Sequence, residues 1–401
     1  MKTVAIYLGG TPSDGGTYQN ALSLVSALAT FPAEEYRVLG YCRDDVWPGI
    51  LSRYGIESRV ARSQGPASRL VTKVARELPL PLALRKRIGS LAVPFGRQLR
   101  RDDVDLCIYP NFEHYAWELS TPSLGAIHDL MHRYEPHFPE VASGDIPAAR
   151  DRLFSRMRRG ATGVLVDSEV GRRQVIESYG PDGAELHVLP YVAPAYIYEA
   201  AEREMLDGEL DAWADAVGLP PKYLLYPAQF WMHKNHLRLL EALARLLEVH
   251  PEAHLVLVGS EKNAVSAVGE TIERLGLRDS VSILGYVSNE QMAYLYRHAR
   301  ALVLPTFFGP TNIPPLEAFV LGCPVAVSGI YGMPEQVGDA ALTFDPSSVD
   351  EIAGACLRLW EDDALCDRLR VLGYERARRW GPPEFAARLR EIVDALSRGA
   401  K

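Results

Sequence analysis

The segment Tyr226-Pro227-Ala228-Gln229-Phe230-Trp231-Met232-His233-Lys234-Asn235-His236 passes from an apolar run to a cation, an amide and then a helical pattern. A lysine beside a helix N-terminus is chemistry for a diphosphate, because the ammonium and the unpaired first-turn N–H groups both favour anions. A second segment, Phe307-Phe308-Gly309-Pro310-Thr311-Asn312-Ile313-Pro314-Pro315-Leu316-Glu317-Ala318, makes the same passage from strand to helix. Pro314 and Pro315 suit a first helical turn, where an N–H is not missed. Free amides near Asn312 and Ile313 would hold phosphate oxygens, and Glu317, one turn in, would accept bonds from ribose hydroxyls. Without a ligand, the same residues read as helix caps and core packing.

The first half has its own candidates. Gly9-Gly10-Thr11-Pro12-Ser13-Asp14-Gly15-Gly16-Thr17 joins a first strand to a helix; glycines allow close backbone approach to a ligand, and the helix start favours anions. The spacing is not G-x-G-x-x-G, which argues against a nicotinamide-binding domain. His128-Asp129 directly follows an apolar run, Ser123–Ile127, and ligand sites of open parallel sheets lie at such carboxyl ends. A polar-ligand contact is the reading for His128. His132 and His137 follow, but Pro136, Pro139 and the lack of helix caps argue against a helical metal face, so no metal site is expected. Asp103-Val104-Asp105 sits at the amino end of the run Leu106–Tyr109, the wrong end for a ligand, and reads as a solvated strand start.

Positioning these residues takes parallel sheets. Short apolar runs alternate with helical patterns along the whole chain, which predicts an α/β protein of strand-helix-strand units. Strands are expected at Thr3–Leu8, Tyr36–Cys42, Leu106–Tyr109, Ser123–Ile127, Gly163–Val166 and Leu186–Leu189. In the second half they fall at Tyr223–Ala228, His254–Val258, Val281–Val287, Ala301–Pro305 and Pro324–Val327. A proline turn and an acidic, weakly apolar stretch place a hinge within Tyr191–Leu219. The expected organisation is residues 1–195, residues 196–380, and a final helix within 381–401 that folds back across the first domain. The length, 401 residues, suits two domains.

Composition excludes several classes. A net charge of −8 speaks against nucleic acid as a partner. The five cysteines are scattered without a C-x-x-C pair, so neither a disulfide framework nor a zinc site is indicated. The N-terminal apolar run is too short for a signal-peptide core, and a cytoplasmic location is expected. Against this acidic background, residues 59–101 carry eleven arginines and lysines and one acid, Glu77, with leucines and valines interleaved. This stretch reads either as a contact with anionic lipid at the inner membrane face or as a solvated helix surface.

Together these segments resemble the retaining glycosyltransferases of family 4, which have the GT-B fold of two Rossmann-like domains facing a central cleft. The likeness runs from the N-terminal glycine loop through His128-Asp129, Lys234-Asn235, Pro314-Pro315-Leu316-Glu317-Ala318 and Gly322-Cys323-Pro324-Val325 to Pro334-Glu335-Gln336-Val337-Gly338-Asp339-Ala340-Ala341. It implies an acceptor-side first domain and a donor domain in the second half. Lys234 would hold the diphosphate of a nucleotide-sugar donor, with Asn235 beside it, and Glu317 would bind the ribose. His128 would orient the donor sugar, the backbone of Gly285-Tyr286-Val287 would meet the base, and Gly15 and Gly16 would border phosphate and acceptor. The resemblance also implies retention, with a donor phosphate oxygen taking the acceptor proton, and no metal or other cofactor.

Two positions depart from the family pattern. Gly309 stands where a glutamate that contacts sugar hydroxyls is usual, and Gln229 where an arginine is frequent. A variant subgroup with Gly-Pro-Thr-Asn-Ile-Pro-Pro-Leu-Glu-Ala is similar to this sequence, and includes Thr311, Asn312 and Ile313 in the donor loop. The expected activity is transfer of a hexose or deoxyhexose to a surface-glycan or lipid-linked acceptor. The alternatives are a non-catalytic sugar-nucleotide-binding protein and a soluble small-molecule glycosyltransferase or epimerase on the same fold.

Overall fold

A computed structural model describes residues 1–202 and 208–398, the side chains of residues 76, 77 and 398 excepted. Among them, two parallel sheets are formed. The first contains β1 (Lys2–Leu8), β2 (Tyr36–Cys42), β3 (Glu57–Val60), β4 (Leu106–Ile108), β5 (Ser123–Ala126), β6 (Gly163–Val166) and β7 (Glu185–Val188), in the order β3-β2-β1-β4-β5-β6-β7. The second contains β8 (Leu224–Pro227), β9 (Leu255–Val258), β10 (Val281–Ile283), β11 (Ala301–Leu304), β12 (Val325–Ser328) and β13 (Leu342–Phe344), in the order β10-β9-β8-β11-β12-β13. Both sheets are wired alike. The chain runs outward for three strands, then returns to lay the fourth beside the first. Each sheet therefore has one point where strand order reverses, between β1 and β4 and between β8 and β11.

Strands sandwiched between helices need apolar residues on both faces. Leu255, Val256 and Leu257 of β9 have no exposed surface, nor do Val4, Ala5 and Ile6 of β1. Helix starts are specified locally. The Ser168 hydroxyl accepts the Gly171 N–H at 3.0 Å, and Ser288 and Gln291 form a reciprocal capping box before the helix Asn289–His298. The architecture is that of two Rossmann-like α/β halves, the GT-B fold.

The edges differ from the sequence expectation. β3 and β13 carry no apolar run, because an edge strand is covered on fewer sides, and neither is expected from the sequence. β10, also an edge, stops at Ile283 instead of extending to Val287, since Gly285 turns the chain with φ 65°. Asp103 is exposed as expected of a strand start, whereas an Asp105 carboxylate oxygen accepts the Thr3 N–H at 2.8 Å and ties the start of β4 to β1.

The chain groups into two units. Among the described residues, 1–130, 145–191 and 382–398 form one; 131–144, 192–202 and 208–381 form the other. The break thus follows Tyr191, ahead of residue 195, and a short excursion at 131–144 belongs to the second unit. In the first unit the final helix, Pro382–Arg398, is held by Asp394, which takes the Tyr36 hydroxyl at 2.6 Å and the Lys2 ammonium.

Candidate functional site

In the second unit, the loops after β8 and β11 flank the strand-order reversal, where open parallel sheets hold ligands. Met232–Lys234 is a single 3-10 turn, and Asn235 follows in the left-handed region with φ 62°. Asparagine enters that region more readily than most residues. Its buried amide donates to Pro305 O at 3.0 Å and to Pro346 O at 2.8 Å, tying the turn to the chain just past β11 and β13. The Tyr226 hydroxyl donates to Lys234 O at 2.7 Å. Lys234 is thus mounted on a clamped backbone in front of the helix His236–Val249. Its Nζ reaches Asn312 Oδ1 at 3.4 Å, which joins the two loops.

The turn is braced from behind. Glu140 accepts the His233 N–H at 3.3 Å, and the His233 ring nitrogen Nδ1 lies 3.4 Å from the same oxygen. Burial alone would raise the Glu140 carboxyl, but His233 overrides it and holds the group down at about 2. The His233 ring stacks on Phe308 with centroids 3.9 Å apart, and Phe138 packs against Phe307 and Phe308. Residues 131–144 therefore supply a wall to the loops after β8 and β11 of their unit.

The expected free amide at Asn312 is corrected by the structure. Its N–H donates to Gln336 Oε1 at 3.0 Å, and Gln336 Nε2 donates back to Asn312 O at 2.7 Å. The side-chain amide closes a loop that has too few backbone partners of its own, so this N–H is committed. Thr311 is buried in the same loop. Gly309 has φ 89°, and a Cβ there would stand 2.8 Å from Thr311 O. The Gln229 amide oxygen takes the Trp231 indole N–H at 3.0 Å.

Glu317 lies in the first turn of the helix Pro314–Leu321 and is buried. Its Oε1 accepts the Tyr196 hydroxyl at 3.2 Å and its Oε2 the Tyr296 hydroxyl at 2.6 Å. Burial raises the Glu317 carboxyl above its ordinary value, with the two phenols opposing. Each carboxylate oxygen keeps a second lone pair, so a ribose hydroxyl remains an acceptable third partner. Tyr286 is 74% exposed, and after burial and Glu317 it adds to the upward push on the Tyr196 phenol. The Gly285 carbonyl accepts the Gly259 N–H at 2.9 Å, which holds the Gly285-Tyr286-Val287 turn against the end of β9.

In the first unit, Gly15 and Gly16 lie beyond β1, where the helix Gly16–Ala29 begins, and Gly15 has φ 62°. The preceding loop is capped by acids: Asp44 takes the Gly10 N–H at 3.0 Å and Asp14 the Thr11 N–H at 2.8 Å. His128 follows β5. Its Nε2 lies 2.7 Å from Pro110 O and its Nδ1 3.0 Å from the Tyr191 hydroxyl. A carbonyl only accepts, so Nε2 carries the hydrogen and Nδ1 receives the phenol. Burial lowers the His128 pKa, favouring this neutral form. Asp129 is engaged by Arg150 at 2.5 Å. His137 lies 3.6 Å from Glu135, His132 is buried, and among the described residues no group of three or more His, Cys, Asp or Glu is gathered as metal ligands would be.

The sequence reading contains Lys234, Asn235, Asn312 and Glu317, and Gln336 within the segment Pro334–Ala341, but not the Glu317 partners Tyr196 and Tyr296 or the Glu140 that braces His233. Tyr196 lies within the stretch read as a hinge, and neither Tyr296 nor Glu140 carries a local motif.

Residues 211–376 match the family model "Glycosyl transferases group 1", so the second unit carries a domain of that kind. The O-antigen chain mannosyltransferase B of Escherichia coli is 34% identical over 160 residues, which cover 39% of this chain and 42% of that protein. The match thus spans less than half the length of that curated relative. Among solved structures, Anabaena Alr3699/HepE in complex with UDP-glucose has a TM-score of 0.73 at 17% identity, covering 98% of this chain and 100% of the other. WaaG, a glycosyltransferase involved in lipopolysaccharide biosynthesis, has a TM-score of 0.69 at 16% identity, covering 97% and 99%. At these identities the likeness to the solved structures is one of fold.

Proposed function

We propose that this chain is a glycosyltransferase that moves a hexose or deoxyhexose from a nucleoside diphosphate sugar to a surface-glycan acceptor, either a polysaccharide or a lipid-linked glycan. The observation that carries the reading is the Lys234–Asn312 junction at the β8/β11 reversal. It sets a fixed cation where a diphosphate would lie, and such a charge stabilises a departing diphosphate more in the transition state than in the bound donor. The group 1 domain match over the same loops supports it. In this reading Glu317 accepts a ribose hydroxyl, Tyr286 and Val287 border the base, and His128 orients the sugar through the ring its two partners hold. Transfer proceeds with retention: the acceptor oxygen bonds to the anomeric carbon on the face from which the diphosphate departs, and a donor phosphate oxygen takes the acceptor proton. No metal or cofactor is required. The chain works in the cytoplasm at the inner membrane face, with contact through residues 59–101, where Leu70, Val74 and Leu84 are exposed among arginines.

The test is thermal stabilisation by UDP, GDP, TDP and their sugar conjugates, with Lys234→Ala as control. A ligand for the native state raises Tm by mass action. A shift from one nucleotide series that Lys234→Ala abolishes supports the reading, and no shift at millimolar nucleotide overturns it. A second reading, a non-catalytic sugar-nucleotide binder, is favoured by the Gly309 and Gln229 positions, one without a side chain and the other committed to Trp231. It gives stabilisation without turnover of any donor.

A further inference from the structure

A cavity of about 240 Å³ lies in the first unit, bounded by the helices Pro66–Glu77, Leu82–Ala92, Tyr115–Glu118 and Ile146–Gly160. It lies toward the opposite end of the first sheet from Gly15 and His128. The helices bearing Glu118 and Gly160 end just before the amino ends of β5 and β6, whereas His128 and Gly15 follow carboxyl ends. Two close approaches build its floor. A Cβ on Gly89 would stand 2.2 Å from Glu118 O, and one on Gly160 would stand 2.6 Å from Trp117 Cβ, so only glycine lets these helices come so near.

The lining is strongly cationic. Among the described side chains, Arg85, Lys86, Arg156 and Arg159 line it with a single acid, Glu118. Arg85 Nε and the Trp117 indole N–H are buried with no acceptor among the described residues, so two N–H dipoles are left unsatisfied beside the Glu118 carboxylate. Burial also depresses the Lys86 ammonium, a cost that a bound anion offsets. The two outer helices expose Leu70, Val71, Val74, Leu82, Leu84 and Leu91 around this basic lining. A free anion would leave those side chains in water, whereas an amphiphile would cover both features.

We propose that the cavity seats the phosphate of an anionic phospholipid, while the exposed leucines and valines of the helices Pro66–Glu77 and Leu82–Ala92 enter the acyl layer beside it. The arginines supply planar donors suited to phosphate oxygens. The proposal rests on the membrane-contact reading above, not on the donor reading, and it adds Arg156 and Arg159, which lie outside residues 59–101.

The experiment is sedimentation of the full chain with phosphatidylcholine vesicles, with and without phosphatidylglycerol. Binding is expected only with phosphatidylglycerol. Arg156→Gln with Arg159→Gln weakens it roughly fivefold per arginine, taking about 1 kcal/mol per basic residue at an anionic surface. Leu70→Ser with Leu84→Ser weakens it too, and Arg172→Gln with Arg173→Gln, on the helix Glu169–Tyr179, leaves it within twofold. Equal loss from both arginine pairs overturns the cavity and leaves diffuse attraction. Stabilisation by inorganic phosphate that depends on Arg156 and Arg159, without vesicle binding, overturns the lipid. No binding of the wild type overturns the membrane reading and this proposal together, while nucleotide stabilisation reports on the donor reading separately. Arg156 and Arg159 are exposed helix positions, and the single Arg156→Gln repeats the comparison if the pair perturbs folding.

Discussion

The Lys234 ammonium stands 3.4 Å from the Asn312 side-chain oxygen, a long contact that links the loop after β8 to the loop after β11. A neutral amide is a weak partner for a cation, and a diphosphate oxygen is a stronger one. Lys234→Ala is therefore expected to lower nucleoside diphosphate affinity by about 10- to 100-fold, the worth of one charge-assisted bond. Isothermal titration with the stabilising nucleotide measures this. An unchanged dissociation constant would remove Lys234 from the site.

Glu140 offers a prediction in pH. Its carboxyl is held down at about 2 in the folded chain, despite burial, by His233, against an ordinary value of 4.5. Between those values the unfolded chain binds a proton that the folded chain does not. The Glu140–His233 contribution is therefore complete above pH 4.5 and is lost as pH falls toward 2. The gap in urea midpoint between wild type and Glu140→Gln should narrow through that window; a gap independent of pH contradicts the pairing.

Much of this arrangement was legible in the sequence, and the reason is local. Lys234, Asn235 and Glu317 each sit where an apolar run passes into a helical pattern, which is a local signal. Buried strands such as β1 and β9 read as continuous apolar runs, while the edge strands β3 and β13 did not, since a half-covered strand needs no such run. The pairings that hold the site were invisible for a different reason. Tyr196 meets Glu317 across 121 residues, Glu140 meets His233 across 93, and Gln336 meets Asn312 across 24. No periodicity reports such pairings, and the free amide expected at Asn312 failed on one of them.

His128 is neutral, with Nε2 donating to Pro110 O and Nδ1 accepting from Tyr191. Both ring nitrogens are committed to the protein, so the ring is oriented before any sugar arrives. With no ring nitrogen left for a hydroxyl, it would act on the donor sugar by packing, and His128→Ala lowers kcat by about 100-fold, the cost of a misplaced substrate. Stabilisation by the bare nucleotide should survive the change. Tyr191→Phe frees Nδ1 and should give a smaller loss, of about tenfold, consistent with one neutral hydrogen bond. Loss of nucleotide stabilisation in His128→Ala would show that the residue acts on nucleotide binding and not on the sugar.

Gly309 bears on the departure from the two-glutamate pattern. Its φ of 89° suits glycine, and a Cβ would meet Thr311 O at 2.8 Å, in a loop already closed by the Asn312–Gln336 pair. Placing a glutamate there by Gly309→Glu, as in the family that the sequence resembles, would then strain the backbone before any carboxylate reached a sugar. The expected outcome is a loss of about 1–3 kcal/mol in unfolding free energy, together with weaker stabilisation by sugar nucleotides. Gly309→Ala should cost a similar amount, because the penalty lies in the backbone and the first carbon. A Gly309→Glu protein that is as stable as wild type and binds its donor more tightly would mean that the loop can open, and that the glycine marks a lost contact and not a different geometry.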